Sequence, residues 1–164
     1  MSLYPWVVIA HVVFVIVSFG AHGTSAFAML QARKESDRTR LAAALDLSTA
    51  SLTIAGVGLL AAVVLGIIAA IMGGHFGQFW PWASIAVVVI AFGAMTPIGA
   101  TPMNEVRKAL AMPVRGDKPT DPPRQPGTEA ELRAAQARLR PQLLATIGVV
   151  AIAVLVWLME AKPF

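Results

Sequence analysis

Four long apolar segments, separated by two basic stretches and one aromatic turn, dominate the pattern of hydrophobic and polar positions in this chain. They lie at about residues 4–30, 50–72, 82–101 and 143–159. Each approaches the ~20 apolar residues that an α-helix needs to cross the hydrocarbon core of a bilayer. The pattern predicts an all-α membrane protein, a single membrane domain over residues 1–164 in which four transmembrane helices form an antiparallel bundle.

The composition supports this class. Hydrophobic residues make up 57% of the chain and charged residues 13%, whereas a soluble domain is about half apolar and about a quarter charged. The chain has no cysteine, which excludes disulfides, thiolate metal sites and iron–sulfur clusters. We therefore expect the lipid bilayer to be the main partner.

The basic residues indicate an orientation. Residues 31–49 hold four Lys and Arg, residues 104–141 hold eight, the aromatic turn holds none, and Lys162 is the last of the thirteen. Because cytoplasmic loops are enriched in Lys and Arg, both basic stretches are predicted to be cytoplasmic loops and both termini extracytoplasmic (N-out, C-out). This placement also explains the net charge of +4 without nucleic acid as a partner.

The first apolar segment carries polar side chains at helical spacing. His11, Ser18, His22 and Ser25 fall within roughly 60° of one another on a helix, with Met29 a turn further along. We call the first four residues the polar stripe. Ionisable groups inside a membrane are costly and usually face a bundle interior or a cavity. The stripe either binds a cofactor or hydrogen-bonds a neighbouring helix, so these residues are our candidate cofactor-binding residues.

The second segment carries small residues at every fourth position: Gly58, Ala62, Gly66, Ala70 and Gly74. Such a ridge lets another backbone approach closely, which is how helices associate in lipid. We predict a packing surface here, either within the bundle or between the subunits of a homodimer that pairs through Gly58, Ala62, Gly66 and Ala70. Beyond it, His75 lies in the aromatic turn and is predicted to be a solvated loop histidine.

Prolines and caps predict where the helices end. Asp37 or Ser36 caps a second helix that runs without a break into its span. Pro97 and Pro102 predict that the third helix is kinked or broken at its inner end, or that it ends there and a surface helix starts at Thr101-Pro102.

The second basic stretch contains a further helix signal. Thr128 and Glu131 match a capping box that opens a helix through Arg140. Pro141 is predicted to kink the junction of that helix with the fourth span.

The segment AHGTSAFAMLQARKESDRTRLAAALDLS, with a histidine eleven residues before its His-Gly, resembles a bacterial family of small four-helix integral membrane proteins of unknown function. The likeness covers the first helix and the first basic loop. It implies a four-helix fold in the bacterial inner membrane and no assigned activity. The layout is also similar to copper-resistance-type membrane domains and membrane protoporphyrinogen oxidases, which carry a histidine in the first span.

The chemistry available to the chain is limited. It has no phosphate-binding loop, Rossmann glycine pattern or His-Glu-x-x-His motif, so any enzymatic role would depend on a cofactor. Imidazole binds haem iron or copper, and a thioether suits reduced copper. His11 and His22 lie roughly 16 Å apart along one helix, so each would need a ligand partner elsewhere; Met72 could approach His11, whereas Met95 lies deeper.

We therefore predict a structural or interaction protein. The alternatives are a haem- or copper-binding protein that uses the first-span histidines, and a small-solute transporter that works as a dimer.

Overall fold

The computed structural model describes residues 2–114, 116–118 and 120–163, and their regular structure is helical. The helices are α1 (Tyr4–Ala32), α2 (Arg38–Met72), α3 (Trp80–Ala109), α4 (Glu129–Ala137) and α5 (Pro141–Ala161), with a 3₁₀ turn at His75–Gly77. Four segments are long and apolar enough to span a membrane: α1, α2, α3 and residues Glu129–Ala161. The predicted four-helix membrane bundle is confirmed.

The two ends of the bundle differ in chemistry. One end, here called the aromatic end, holds the start of α1, the 3₁₀ turn, the start of α3 and the end of α5. It carries all four tryptophans: Trp6, Trp80, Trp82 and Trp157. The other end, here called the basic end, holds the α1–α2 connection, α4 and the residues that join α3 to α5. The α1–α2 and α3–α5 pairs supply most of the contacts between the long helices.

Helix α2 begins earlier than the second apolar segment. Asp37 is its N-cap, and one carboxylate oxygen accepts a hydrogen bond of 2.8 Å from the backbone amide of Arg40. The helix continues for 35 residues, or roughly 50 Å at 1.5 Å per residue, which exceeds the ~30 Å hydrocarbon thickness. The predicted cap and the unbroken passage into the span are confirmed.

Helix α3 contradicts the prediction made from its prolines. It runs without interruption through Pro97 and Pro102 to Ala109, so both the predicted break and the predicted end near residue 101 are wrong, whereas a kink within the continuous helix stays a prediction. Each proline removes one backbone hydrogen bond, but ending the helix there would withdraw Met103 and Val106, which are 8% and 0% exposed. Burial of these side chains favours the continuous helix.

Helix α4 closes the basic end. The capping box is present: the backbone amide of Glu131 donates to the Thr128 hydroxyl, and the Thr128 amide donates to the Glu131 carboxylate. The amide and the hydroxyl of Thr128 both donate to the Glu131 carboxylate, and these two hydrogen bonds lower the pKa of Glu131. The helix stops at Ala137 rather than Arg140, and Pro141 opens α5 as its first residue. The predicted kink is therefore a break between two helices, because proline at the first helical position needs no amide partner.

The core lies at this basic end. Its buried members come from all five helices and, in the case of Leu139, from the connection between α4 and α5: Met29, Ala32, Leu41, Leu45, Met103, Val106, Leu132, Ala135, Leu139 and Leu144. The side-chain amide of Gln136 is buried beside them and donates to the backbone carbonyls of Ala32 and Glu35, at 2.7 and 2.8 Å. Ala32 is the last residue of α1 and Glu35 lies in the connection that follows, so α4 satisfies one carbonyl that α1 leaves open and one of the connection.

Candidate functional site

The polar stripe of α1 hydrogen-bonds α2 at three levels. The His11 ring atom Nδ1 lies 2.7 Å from the Ala62 carbonyl oxygen, and the Ser18 hydroxyl donates to the Ala55 carbonyl at 2.8 Å. The Ser25 and Ser48 hydroxyls lie 2.8 Å apart. The three α1 residues are spaced seven positions apart. Their partners in α2 are also spaced seven positions apart, in the reverse order along the chain. Two antiparallel helices with a seven-residue contact repeat therefore meet at each rung; we call these three pairs the ladder.

The small-residue ridge is what brings α1 this close. A β-carbon added at Gly58 would lie 3.3 Å from the Ser18 β-carbon, and one added at Gly66 would lie 3.0 Å from the His11 ring. Ala62 and Ala70 are 2% and 6% exposed. The ridge thus packs within the chain, against α1, at Gly58, Ala62 and Gly66, whereas its predicted fifth member, Gly74, lies beyond the end of α2 at Met72. A homodimer stays a prediction, and it would need a different surface as long as this packing is kept.

The hydrogen bond of His11 to Ala62 determines which ring nitrogen carries the proton in the neutral imidazole. A carbonyl oxygen only accepts, so Nδ1 carries the proton and donates to Ala62. In the neutral imidazole, Nε2 then holds a lone pair. Among the described residues, no side chain or backbone group hydrogen-bonds this Nε2 atom.

His22 faces a different helix. A β-carbon added at Gly148 of α5 would lie 2.9 Å from the His22 Nε2 atom. This nitrogen is buried and has no hydrogen-bond partner in the described part of the chain. The Phe19 ring packs against the imidazole edge-on, with ring centroids 6.4 Å apart. Both histidines therefore point into the bundle, as predicted, but toward α2 and α5 respectively.

A cavity of about 180 Å³ lies between the four long helices at the aromatic end. His11 and Ser18 line it from α1, and Gly66 and Ala70 line it from α2. The opposite walls are almost entirely apolar side chains of α3 and α5, among them Val88 and Met159. The cavity is therefore largely apolar and contains few polar groups.

Its rim is open. Val89 of α3 and Val156 of α5 line the cavity and are also 65% and 57% exposed. In a bilayer, side chains exposed along transmembrane helices contact lipid. A molecule dissolved in the membrane can therefore reach the cavity from the side.

The structure gives limited support to a metal site. No group of three His, Asp or Glu side chains able to hold a metal ion occurs within residues 2–114, 116–118 and 120–163. Met72 is 44% exposed and does not line the cavity with His11, and Met95 packs against the basic-end core. Met159 is the methionine that shares the cavity with His11.

His75 is not the freely solvated side chain that its loop suggested. Its ring centroid lies 5.4 Å from that of Trp80, and the residue is half-buried. The Lys162 ammonium group lies 5.9 Å from the Trp80 ring centroid, within the range of a cation–π contact. His75 thus packs against an aromatic side chain at this end of the bundle, and it does not line the cavity.

Several residues of the site were missed from the sequence. Ser48 and Ala55 were available as a signal, because with the predicted Ala62 they form a seven-residue step that mirrors the step of His11, Ser18 and Ser25. Gly148, by contrast, carries no local signal for contact with His22. Comparison with protein-family models, curated proteins and solved structures finds no match to this chain.

Proposed function

We propose that this chain is a structural or interaction protein of the bacterial inner membrane. The observation that supports this proposal is the ladder. His11, Ser18 and Ser25, three of the four residues in the polar stripe, form hydrogen bonds to α2. Groups used in this way hold helices together in lipid, so a catalytic role is not needed to explain the stripe.

The haem alternative fits this packing poorly. At His22, α5 packs so closely that a β-carbon added at Gly148 would lie 2.9 Å from Nε2, which leaves little room for an iron atom bound to this nitrogen. At His11, the cavity measures about 180 Å³, which is close to the ~150 Å³ that accommodates benzene. A porphyrin joins four pyrrole rings in one macrocycle and is therefore several times larger than benzene, so it would not enter without separation of the helices.

Copper remains the second candidate, because Met159 and His11 share one cavity and thioether with imidazole suits reduced copper. Transport by a dimer stays a prediction that rests on no contact within the single chain.

Spectra and stability of variants test the proposal. Protein purified from its native membrane is expected to show neither a Soret band nor stoichiometric copper. His11→Ala is expected to lower the unfolding temperature, because it removes the bond to Ala62. The exposed Thr24, which bonds within its own helix, supplies the control Thr24→Ala. A Soret band or bound copper that His11→Ala or His22→Ala abolishes, at unchanged folded yield, would contradict the structural role.

The proposal includes the orientation indicated by the basic residues, with the basic end in the cytoplasm and both termini outside. Cysteine labelling tests it directly, since the chain has no cysteine. Gly77→Cys, in the exposed 3₁₀ turn, is expected to react with an impermeant reagent on intact cells, and Gln125→Cys is expected to react only after lysis. The reverse pattern would refute the orientation.

A further inference from the structure

We propose that the cavity at the aromatic end binds an uncharged phenol, a compact aromatic molecule of one or two rings whose hydroxyl donates a hydrogen bond to Nε2 of His11. The site would go beyond a structural role, since the ladder holds α1 to α2 whether or not the cavity is filled. The inference rests on the size of the cavity, on its wall and on which of its polar atoms are already in use.

The polar atoms of the cavity determine the chemistry of the ligand. The Ser18 hydroxyl donates to the Ala55 carbonyl, and the Ser84 hydroxyl donates to the Trp80 carbonyl at 2.9 Å. The Trp80 indole N–H donates to the Gln78 side chain at 2.6 Å. Each donor that lines the cavity is thus engaged, whereas the Nε2 lone pair of His11 is an acceptor without a partner among the described residues. A ligand must therefore bring a donor.

Charge is excluded by the same wall. The remaining lining side chains are hydrocarbon, thioether or aromatic groups. Moving an ion from water into such surroundings costs far more free energy than a single hydrogen bond can offset. A carbonyl-bearing ligand such as a quinone is disfavoured as well. Its oxygen atoms only accept hydrogen bonds, and the cavity has no free donor. A neutral hydroxyl satisfies both conditions.

The size and the wall favour an aromatic ring. The volume of about 180 Å³ slightly exceeds a cavity of ~150 Å³ that binds benzene. Phe19, Phe76 and Trp80 contribute ring surfaces to the lining, and aromatic rings gain from edge and offset contacts with one another. The rim at Val89 and Val156 gives access from the bilayer.

A ligand pair tests the hydrogen bond on the unaltered protein. The full chain in lipid nanodiscs is equilibrated with 2-naphthol or with 2-methoxynaphthalene, which has nearly the same shape but no hydroxyl donor, and binding to empty nanodiscs is subtracted. We expect saturable binding of 2-naphthol about ten-fold tighter than that of the methyl ether, as one hydrogen bond provides. Equal affinities of the two compounds would overturn the proposal. Displacement of both compounds by dodecane, which has no hydroxyl, would also overturn it and would indicate that the cavity binds acyl chains.

Two variants of α3 test the location. Val88 lines the cavity, and Val88→Phe is expected to fill it and to weaken 2-naphthol binding at least ten-fold. Ile90 is 70% exposed and does not line the cavity, so Ile90→Phe adds a similar bulk on the same helix and is expected to leave binding unchanged. Unchanged binding in Val88→Phe would place the ligand elsewhere and overturn the proposal.

His11→Phe completes the test by removing Nε2. We expect the affinity difference between 2-naphthol and its methyl ether to disappear in this variant. If His11→Phe does not fold, the ligand pair and the Val88 variants still decide the proposal on their own. Persistence of the difference in folded His11→Phe would show that another group accepts the hydroxyl, and it would overturn the assignment to His11.

Discussion

At the basic end of the bundle, Leu41, Leu45 and Leu139 are completely buried, whereas at the aromatic end Val89 and Val156 line a cavity while remaining largely exposed. The same long helices build both halves. The difference lies in what fills the space between them. The basic half has large side chains on every helix and a fifth helix, α4, packed across its end, whereas the described residues of the aromatic half add only the 3₁₀ turn His75–Gly77 to the long helices.

The small-residue ridge explains why the aromatic half is less tightly filled. Gly66 lets α1 come close to α2, but neither Gly66 nor Ala70 carries a side chain long enough to reach across to α3. Contact between α2 and α3 is accordingly sparse. Close approach of one pair of helices thus leaves a space beside them, and at the basic end Leu41 and Leu45 of the same helix fill it.

A matched pair of truncations should give the largest effect and sharpen the comparison. Leu139→Ala removes a side chain that is 0% exposed and is expected to cost about 2–5 kcal/mol in the free energy of unfolding. Leu155→Ala removes the same atoms from the wall of the existing cavity, where fewer contacts are lost, and should cost less. Unfolding in mixed detergent micelles measures both, and equal losses would contradict the difference between the two halves.

The fold and part of the site could be predicted from the sequence because their signals are local. The lengths of the apolar segments gave the spans, and Asp37 and Thr128 marked helix starts through bonds that reach only three residues along the chain. The stripe of α1 was visible for the same reason. The continuity of α3 was not, since burial of Met103 and Val106 by distant helices decides it. The cavity depends on four helices at once and has no local pattern.

Gln136 tests how far α4 contributes to the closed half. Gln136→Leu keeps an apolar body but removes the donor to the carbonyls of Ala32 and Glu35. Leaving buried acceptors unpaired is expected to cost about 1–3 kcal/mol. Gln125→Leu, in the exposed stretch before α4, is the control and should change little. Similar stability of the two variants would mean that α4 closes the basic end through apolar packing alone.

The smallest expected effect concerns the rung of the ladder at the closed half. The Ser25 and Ser48 hydroxyls bond each other at 2.8 Å, and Ser48 also lies 3.8 Å from the Met103 sulfur. Hydrogen bonds between membrane helices average about 0.6 kcal/mol, so the double-mutant cycle of Ser25→Ala and Ser48→Ala should give a coupling free energy of that size. Each single change should lower the free energy of unfolding only slightly, because apolar side chains already surround this pair of hydroxyls.

Ser18 provides a comparison at the open half. Its hydroxyl donates to a backbone carbonyl and lies beside the cavity, so Ser18→Ala should cost at least as much free energy of unfolding as Ser25→Ala. If Ser25→Ala instead proves the more costly of the two, polar contacts rather than buried side chains hold the closed half together, and the contrast between the halves would need a different physical cause.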